Sequence, residues 1–376
     1  MKKLQMVDLK SQYEKIKDEV NASIQDVLEN NTYINGPLVH QFQADLEKYL
    51  GAKHVIPCAN GTDALQIAMM GLGLKPGDEV ITADFTFAAT VEVIALLQLT
   101  PVLVDVDMNN MNISLDGIRK AITPKTKAIV PVHLFGRAAN MDAIMEIANE
   151  HNLYVIEDNA QAIGADYTNK DGVKKKVGTI GHVAATSFFP SKNLGCYGDG
   201  GAIYTNDDDL AHIIRGIVNH GMYERYHHDV VGVNSRLDSI QAGVLKAKLP
   251  HLDTYNKARQ DAARKYSLAL SVNPNIWAPF ICETCDCHVF HQYVIRITNG
   301  KRDALLAHLQ EKGIPCAIYY PIPLHSQKAY ADVRYKEEDF PVTNQLCKEV
   351  LALPMHTELD DEQIKFITDT VLEYIK

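Results

Sequence analysis

The sequence predicts an α/β fold with a mainly parallel, seven-stranded sheet in a large domain, residues 1–250, and a smaller α+β domain, residues 251–376. Short apolar strands alternate with helical stretches between residues 53 and 205, which is typical of a parallel sheet covered on both faces. After residue 250 the pattern reads strand–helix–strand–helix. A length of 376 residues is enough for two cores.

The N-terminal region is predicted to form helices. Apolar residues recur at steps of three and four from 9 to 28, which predicts one amphipathic helix. A break at Gly36-Pro37 precedes a second helix, whose apolar face holds Val39, Phe42 and Leu46.

The remaining elements follow in chain order. Strands are predicted at 53–58, 79–83, 101–106, 127–132, 153–157, 183–187 and 202–205, with helices at 62–72, 86–98, 114–122 and 140–151. We expect an exposed hairpin at 168–177, a long irregular connection at 219–236, and helical structure from 237 to about 270 with an interruption near Pro250. The small domain is predicted to contain strands at 290–297 and 314–319 and helices at 301–312 and 360–375.

Composition and charge exclude several classes of protein. The net charge of −10 argues against general nucleic-acid binding. The N-terminus has no apolar signal segment, and no apolar run is long enough to span a membrane, so we expect a cytoplasmic protein. Cys282, Cys285 and Cys287 next to His288, with His291 after them, suggest zinc, but no second pair of ligands is evident, so we expect reduced thiols and no metal.

Lys192 is the most informative single residue. It lies in TSFFPSKNLGCYGDGGAIYT, residues 186–205, among small, aromatic and apolar residues. Apolar surroundings lower the pKa of a lysine and free its amine as a nucleophile, which Schiff-base chemistry with an aldehyde cofactor requires. The alternative is a surface lysine on a glycine-rich hairpin.

Two other stretches complement this lysine. Asp158 ends a predicted strand, where it could pair with a pyridinium nitrogen or simply cap a helix. In ANGTDAL, residues 59–65, a strand turns through Gly61 into a helix, whose free N–H groups suit a phosphate, although Thr62 could equally be a helix cap. Together the three stretches supply the three handles of pyridoxal phosphate.

Five motifs carry a resemblance to a known family: NGTDAL, DFTFAAT, EDNAQAIGA, SFFPSKNLGCYGDGGA and GVNSRLD. The chain resembles, nearly end to end, the DegT/DnrJ/EryC1/StrS sugar aminotransferases, which have the pyridoxal phosphate (PLP) fold type I. RYHHDVVGVNSRLD is similar to the corresponding segment of UDP-2-acetamido-2-deoxy-3-oxo-glucuronate aminotransferases. The resemblance implies transfer of an amino group from L-glutamate to a keto sugar nucleotide, in the biosynthesis of surface polysaccharide or O-antigen sugars.

The resemblance also implies roles for individual residues. Lys192 would bind PLP covalently and move the proton, since relatives that dehydrate sugars carry histidine there. Asp158 would hold the ring nitrogen and Gln161 would lie near the ring O3′. A second group would surround the phosphate and the ring face: Gly61, Thr62, Asp63 and Ser187 at the phosphate, and Phe87 against the ring, with its neighbour Phe85 expected in the core.

Further residues would bind substrate, some of them in a partner subunit. The 219–236 loop would cross a homodimer, so that Asn234 completes the partner's phosphate site. Arg236 on this loop could meet a diphosphate or a uronate carboxylate of the substrate, and its planar fork suits a carboxylate. His227 and His228 on this loop are substrate-binding candidates, with solvated histidines as the alternative. The segment 319–325 resembles the family's HYPIPLH motif, which makes Tyr319, Tyr320 and His325 candidates, although Tyr319 replaces the usual histidine.

Two other functions stay open on the sequence. The acceptor could be a dTDP-linked 3-keto hexose or a UDP- or GDP-linked 4-keto hexose. The chain could also be a non-catalytic regulatory or scaffold protein on the same fold, although the presence together of Lys192, Asp158 and Asn234 argues against this.

Overall fold

The computed structural model describes residues 3–281 and 287–376. The strands in these ranges are, in chain order, β1 (His54–Cys58), β2 (Glu79–Ala83), β3 (Thr100–Val104), β4 (Thr126–Val130), β5 (Tyr154–Asp158), β6 (Asp166–Thr168), β7 (Lys174–Lys176), β8 (Val183–Ser187), β9 (Gly201–Thr205), β10 (Met222–Glu224), β11 (His227–His228), β12 (Ile276–Trp277), β13 (Tyr293–Ile297) and β14 (Val350–Leu353).

The α-helices of the same ranges flank these strands. They are α1 (Leu9–Lys15), α2 (Lys17–Asn30), α3 (Pro37–Leu50), α4 (Gly61–Gly71), α5 (Ala89–Leu96), α6 (Leu115–Ala121), α7 (Met141–His151), α8 (Asp208–Ile217), α9 (Ser239–Lys248), α10 (Leu252–Leu270), α11 (Arg302–Glu311), α12 (Pro341–Glu349) and α13 (Asp361–Tyr374). None of them is both long and apolar enough to cross a membrane.

The large sheet has seven strands in the order β1-β9-β8-β5-β4-β2-β3. Strand β9 runs antiparallel to both of its neighbours, and the other pairs are parallel. All seven predicted strands are present within a few residues of the predicted bounds, which confirms the fold class. The carboxyl ends of six strands therefore meet at one edge, where ligands of open α/β sheets bind.

Helices cover both faces of this sheet. Consecutive strand residues point to opposite faces, so each strand packs against helices on both sides. Val55 packs into the cluster that contains Phe42 of α3 and Val244 of α9. Its neighbour Ile56 packs into a second cluster, with Leu65 of α4. Both clusters are apolar because both sheet faces are buried.

The smaller sheet is antiparallel, in the order β12-β13-β14, and packs on α10, α11 and α13. Strand β13 matches the predicted strand at 290–297, whereas β12, α12 and β14 were not predicted. Leu4 reaches this core from the N-terminus. Leu346 of α12 instead packs against the large domain, in the cluster that contains Ile129 of the large sheet.

Three predicted elements differ from the structure. The helix predicted at 9–28 is interrupted at Ile16, whose backbone leaves helical geometry and whose N–H bonds Tyr13 three residues back. The predicted strand at 314–319 is only an isolated bridge between Ala317 and Ala352. The connection at 219–236 contains the short antiparallel pair β10–β11. The hairpin predicted at 168–177 is confirmed as the pair β6–β7.

The cysteine cluster is only partly described. Cys282 and Cys285 lie outside the described residues, whereas Cys287 is a half-buried free thiol. The prediction of reduced thiols therefore stays a prediction for the first two.

Candidate active site

A cavity of about 660 Å³ opens at the carboxyl edge of the large sheet. Its walls come from the segments that follow β1, β2, β4, β5 and β8 and from two later segments, 291–292 and 318–321. Nine of the predicted site residues line it, namely Gly61, Thr62, Phe87, Asp158, Gln161, Ser187, Lys192, Tyr319 and Tyr320. The structure thus brings together residues that are up to 259 positions apart in the sequence.

Lys192 lies on a tightly held loop between β8 and β9. Its backbone N–H bonds the carbonyl of Phe189 at 2.9 Å, and the N–H of Cys196 bonds that of Phe188 at 2.8 Å. Gly195 closes the loop so tightly that a Cβ would stand 2.4 Å from the carbonyl oxygen of Pro190. The sequence therefore fixes where the Lys192 side chain leaves the backbone.

The Lys192 amine has an unusual electrostatic environment. Burial lowers its pKa to about 8, while the negative charge of Asp158 opposes that shift. Roughly a tenth of the amine is therefore uncharged at pH 7, far more than for an ordinary lysine, and can act as a nucleophile.

Asp158 ends β5 beneath the cavity. One carboxylate oxygen accepts a hydrogen bond from the Thr90 hydroxyl at 2.8 Å, and the other accepts one from the N–H of Ala160 at 3.2 Å. Burial raises the pKa of Asp158, whereas these two bonds and the charge of Lys192 oppose the rise. Thr90 was missed by the sequence analysis, although it belongs to DFTFAAT.

A second buried network supports Asp158 from behind. Glu157 accepts hydrogen bonds from His133 at 2.9 Å and from the N–H groups of Gly178, Ile180 and Gly181 at 2.8, 2.7 and 2.6 Å. Burial alone would raise the pKa of Glu157, but these donors outweigh it and hold the pKa below its ordinary value. The His133 backbone also donates to the Asp158 carbonyl, which ties the network to the site.

The start of α4 forms another wall of the cavity. Asn60 caps the helix by accepting from the N–H of Asp63 at 2.8 Å. The N–H groups of Gly61 and Thr62 belong to the same first turn, where helix N–H groups have no partner within the helix. Gly61 also lies so close to Ser187 that a Cβ would stand 2.6 Å from the serine Cβ. Asp63 itself does not line the cavity.

Aromatic rings and one amide form the opposite wall. Gln161 accepts from the N–H of Phe135 at 2.6 Å and donates to the Tyr320 hydroxyl at 3.2 Å, so both ends of its amide are oriented. The Tyr320 ring stacks on Phe135, with centroids 6.3 Å apart. Phe87 is 57% exposed although it lines the cavity, whereas Phe85 is buried in the core.

His291 is a cavity residue that the sequence analysis missed. Its ring is buried, and its Nδ1 atom has no hydrogen-bond partner within the described chain. Burial, Lys192 and Arg259 lower its pKa well below the ordinary value, so the ring is neutral. Arg259 holds this segment by donating to the carbonyls of Phe290, His291 and Met355. The sequence marked His291 only as a neighbour of the cysteine cluster and not as a cavity residue, because contacts distant in sequence create its environment.

Besides Asp63, five predicted site residues lie away from the cavity lining. Asn234, His227 and His228 are exposed and Arg236 is half-buried, all on or beside the 219–236 loop. The prediction assigns Asn234 and Arg236 to the site of a partner subunit, and it stays a prediction. His325 is also displaced from its expected place, because it is buried against Asp84.

Fold and site together define a class of protein. A lysine with a lowered pKa, a buried strand-end aspartate and a helix start share one cavity at the carboxyl edge of a mainly parallel sheet. This combination of groups suits an enzyme that holds an aldehyde cofactor on a lysine.

The chain belongs to the DegT/DnrJ/EryC1/StrS aminotransferase family, whose sequence profile matches residues 14–372. It is 48% identical to the UDP-2-acetamido-2-deoxy-3-oxo-D-glucuronate aminotransferase of Pseudomonas aeruginosa, over 97% of this chain and 98% of that protein. It is 46% identical to a "pleiotropic regulatory protein" of Geobacillus stearothermophilus, over 99% of this chain and 98% of that protein.

A solved structure agrees with this assignment. The crystal structure of a DegT DnrJ EryC1 StrS aminotransferase from Brucella abortus superposes with a TM-score of 0.94 and is 42% identical, covering 99% of each chain. The family resemblance and the fold class expected from the sequence are thereby confirmed.

Proposed function

We propose that this chain is a PLP-dependent aminotransferase that moves the amino group of L-glutamate to a keto sugar nucleotide. One observation carries the proposal. The Lys192 amine, whose pKa is lowered to about 8, shares a cavity with the buried carboxylate of Asp158 and the start of α4. Nucleophile, pyridinium partner and phosphate site are thus available to one cofactor.

The residues present fit the phosphate of PLP. The N–H groups of Gly61 and Thr62 start a helix, where the helix dipole favours an anion. The close approach of Gly61 to Ser187 leaves no room for a Cβ and brings the serine hydroxyl beside the helix start. Asp63 belongs to the same turn, but its N–H already donates to Asn60, so we propose no direct bond from that N–H to the phosphate.

The residues also fit the pyridine ring. Asp158 would hold the proton of the ring nitrogen, with its own position fixed by Thr90 and Ala160. Gln161 would lie near O3′, and Phe87 would cover one face of the ring. When bound, PLP supplies an electron sink that stabilises negative charge at the amino-acid Cα.

Lys192 would carry the proton in this reaction. Its Nζ atom would accept the proton from Cα of the amino-acid donor and later release it. A pKa of about 8 suits both directions, because efficient general acid–base groups titrate near the working pH. The aromatic wall of Phe135 and Tyr320 would help to exclude water from the reacting atoms.

The proposed acceptor is UDP-2-acetamido-2-deoxy-3-oxo-glucuronate. The Pseudomonas aeruginosa relative, which carries that substrate in its name, supports this assignment. The loop at 219–236 supports it too, because it carries two arginines, Arg225 and Arg236, in a chain of net charge −10. An anionic sugar nucleotide needs such local positive charge.

We propose that a second copy of the chain completes each site. Phe87, Phe189 and Ile322 surround the cavity or lie beside its wall and are 57%, 52% and 48% exposed. Exposed apolar groups gathered at one place favour burial against a partner. In a two-fold dimer, Asn234 and Arg236 of each copy would then serve the other copy's cavity.

A regulatory role is the second candidate, since a relative at 46% identity is called a regulatory protein. The buried Asp158 and the depressed pKa of Lys192 disfavour it. A regulator without catalysis would not need a desolvated amine in a large cavity.

The acceptor can be tested through Arg236. Kinetics with a 3-keto uronate and its C6-hydroxymethyl counterpart should show that wild type prefers the uronate. Loss of a charge-assisted bond of roughly 1.5–3 kcal/mol should lower kcat/KM of Arg236→Gln for the uronate by about ten- to a hundredfold. Arg236→Lys should recover part of this, because lysine keeps the charge but not the planar fork.

Arg225→Gln is the matched control for charge on the same loop, since Arg225 contacts only its neighbour Tyr226 among the described residues. If Arg225→Gln has an equal effect, or if Arg236→Gln slows both sugars equally, Arg236 does not bind the substrate carboxylate.

A further inference from the structure

The Asp84 carboxylate joins two segments that are 241 residues apart. One of its oxygens accepts the backbone N–H of His325 at 2.7 Å, and the other bonds the His325 ring at Nδ1, also at 2.7 Å. The Asp84 carbonyl accepts from the N–H of Leu324 at 3.3 Å. Asp84 directly follows β2, so the later segment is fixed to the carboxyl edge of the sheet.

This contact is buried on all sides. The Asp84 side chain is fully buried and that of His325 is 6% exposed. The His325 ring stacks on Phe340 at 4.4 Å, and its Nε2 atom has no hydrogen-bond partner among the described residues. The bond to Asp84 therefore fixes the ring, and a buried pair of this kind is costly to break from one side.

The bonds of Asp84 to Leu324 and His325, here called the clamp, lie next to the cavity wall. Residues 318–321 line the cavity, and the clamp begins three positions later at Leu324. Within that wall the Tyr320 hydroxyl accepts from Gln161, whose other end is held by Phe135. The wall is thus fixed by Gln161 on one side and by Asp84 on the other.

The rest of the same segment has its own anchors. The Tyr335 hydroxyl accepts from the N–H of Leu103 at 2.8 Å and donates to the carbonyl of Pro101 at 3.0 Å, both on β3. Asp105 accepts from the N–H and the hydroxyl of Thr343 at 2.8 and 2.7 Å. Because these bonds already attach the segment to the sheet, the bond of Asp84 to His325 acts mainly on the nearby wall.

We infer that Asp84 and His325 are positioning residues that hold the cavity wall 318–321 in place for the sugar substrate. Neither touches the cavity, and both act through Tyr319 and Tyr320. The identity of the substrate rests on the proposed function, whereas the positioning itself does not.

Amide hydrogen exchange tests the positioning without any substrate. Asp84→Leu should speed exchange at the Leu324 and His325 amides and in the 318–326 peptide by about tenfold or more, because buried acceptors are lost. His325→Phe keeps a ring on Phe340 and should show a smaller change in the same peptide. Asp84→Asn retains an oxygen for the amide and should stay close to wild type.

Tyr335→Phe is the matched control, since it removes two bonds from the same segment to β3. It should leave exchange at 318–326 unchanged. Equal exchange in Tyr335→Phe and Asp84→Leu, or no change in either Asp84→Leu or His325→Phe, overturns the inference.

Kinetics supply the second measurement. With His325→Phe, KM for the sugar substrate should rise about tenfold while kcat falls less than about threefold, because Lys192 and Asp158 keep their positions. A fall in kcat with unchanged KM contradicts the inference. If wild type transfers no amino group to any keto sugar nucleotide, the proposed function fails, and the exchange experiment still decides the role of the clamp.

Discussion

At the scale of single residues, two adjacent carboxylates at the end of β5 have pKa values shifted in opposite directions. Glu157 has a pKa below its ordinary value because His133 and three backbone N–H groups stabilise its charge. Asp158 has a raised pKa because burial dominates over its two hydrogen bonds. The sequence indicated Asp158 from its place after a strand. It could not indicate the network of Glu157, whose donors come from 133 and 178–181.

The lowered pKa of Glu157 makes a prediction about acid stability. A carboxylate with a depressed folded pKa stabilises the protein above its unfolded pKa of about 4.3, and this contribution is lost as the pH falls through the folded value. Glu157→Gln should therefore lower the free energy of unfolding by roughly 3–5 kcal/mol at pH 7.

Denaturant titrations of both proteins from pH 7 to pH 3 measure this. The difference should shrink as the pH falls below about 4.3. A difference that stays constant with pH would mean that the charge of Glu157 does not stabilise the fold. Glu92→Gln, at an exposed position on α5, is a control for the loss of one acidic charge.

At the scale of elements, two loops have different relations to the site. The loop around Lys192 is fixed by its own hydrogen bonds and by Gly195, so its motif could be recognised from sequence. The 219–236 connection contains the two short strands β10 and β11 and an isolated bridge between Asn219 and Asn234, and most of its side chains are exposed. Its predicted role depends on a second chain.

Subunit mixing tests that role. Lys192→Ala and Asn234→Ala should each be inactive as separate homodimers. After exchange of subunits, the mixture should regain up to about a quarter of wild-type activity, because each heterodimer holds one intact site and random pairing makes half of the dimers mixed.

Mass spectrometry of the intact dimers must first show that the heterodimers form. Heterodimers without activity would place Asn234 in its own chain's site, whereas an active Asn234→Ala homodimer would show that Asn234 is dispensable. A mixture of Lys192→Ala with Asp158→Ala is the control, because both residues belong to their own chain's cavity, so every heterodimer holds two defective sites and should regain no activity.

At the scale of the whole molecule, local patterns predicted the large sheet well. Its strands are short apolar runs bounded by turns, and each lies within a few residues of its predicted position. The break at Ile16 was missed because the apolar face continues through it. Strand β14 and helix α12 were missed because partners distant in sequence stabilise them, including Asp105, which accepts from the first turn of α12.

The same distinction holds for the site. Lys192, Asp158 and Gly61 lie in motifs whose local sequence specifies their geometry, so they could be predicted. Thr90 and His291 acquire their environments only in the folded chain. The placement of His325 differs from the expectation for the same reason, because Asp84 is 241 residues away.

The central claim is that Lys192 binds the aldehyde of PLP. The direct measurement is borohydride reduction of the purified protein with PLP, followed by proteolysis and mass spectrometry of the lysine peptides. We expect a pyridoxyl group on Lys192 alone, absent from Lys192→Ala, while Lys248→Met, which removes another buried lysine of pKa about 8, keeps the label on Lys192. A label on Lys248, or no label on Lys192 in the folded wild-type protein, would contradict the proposed binding of PLP by Lys192.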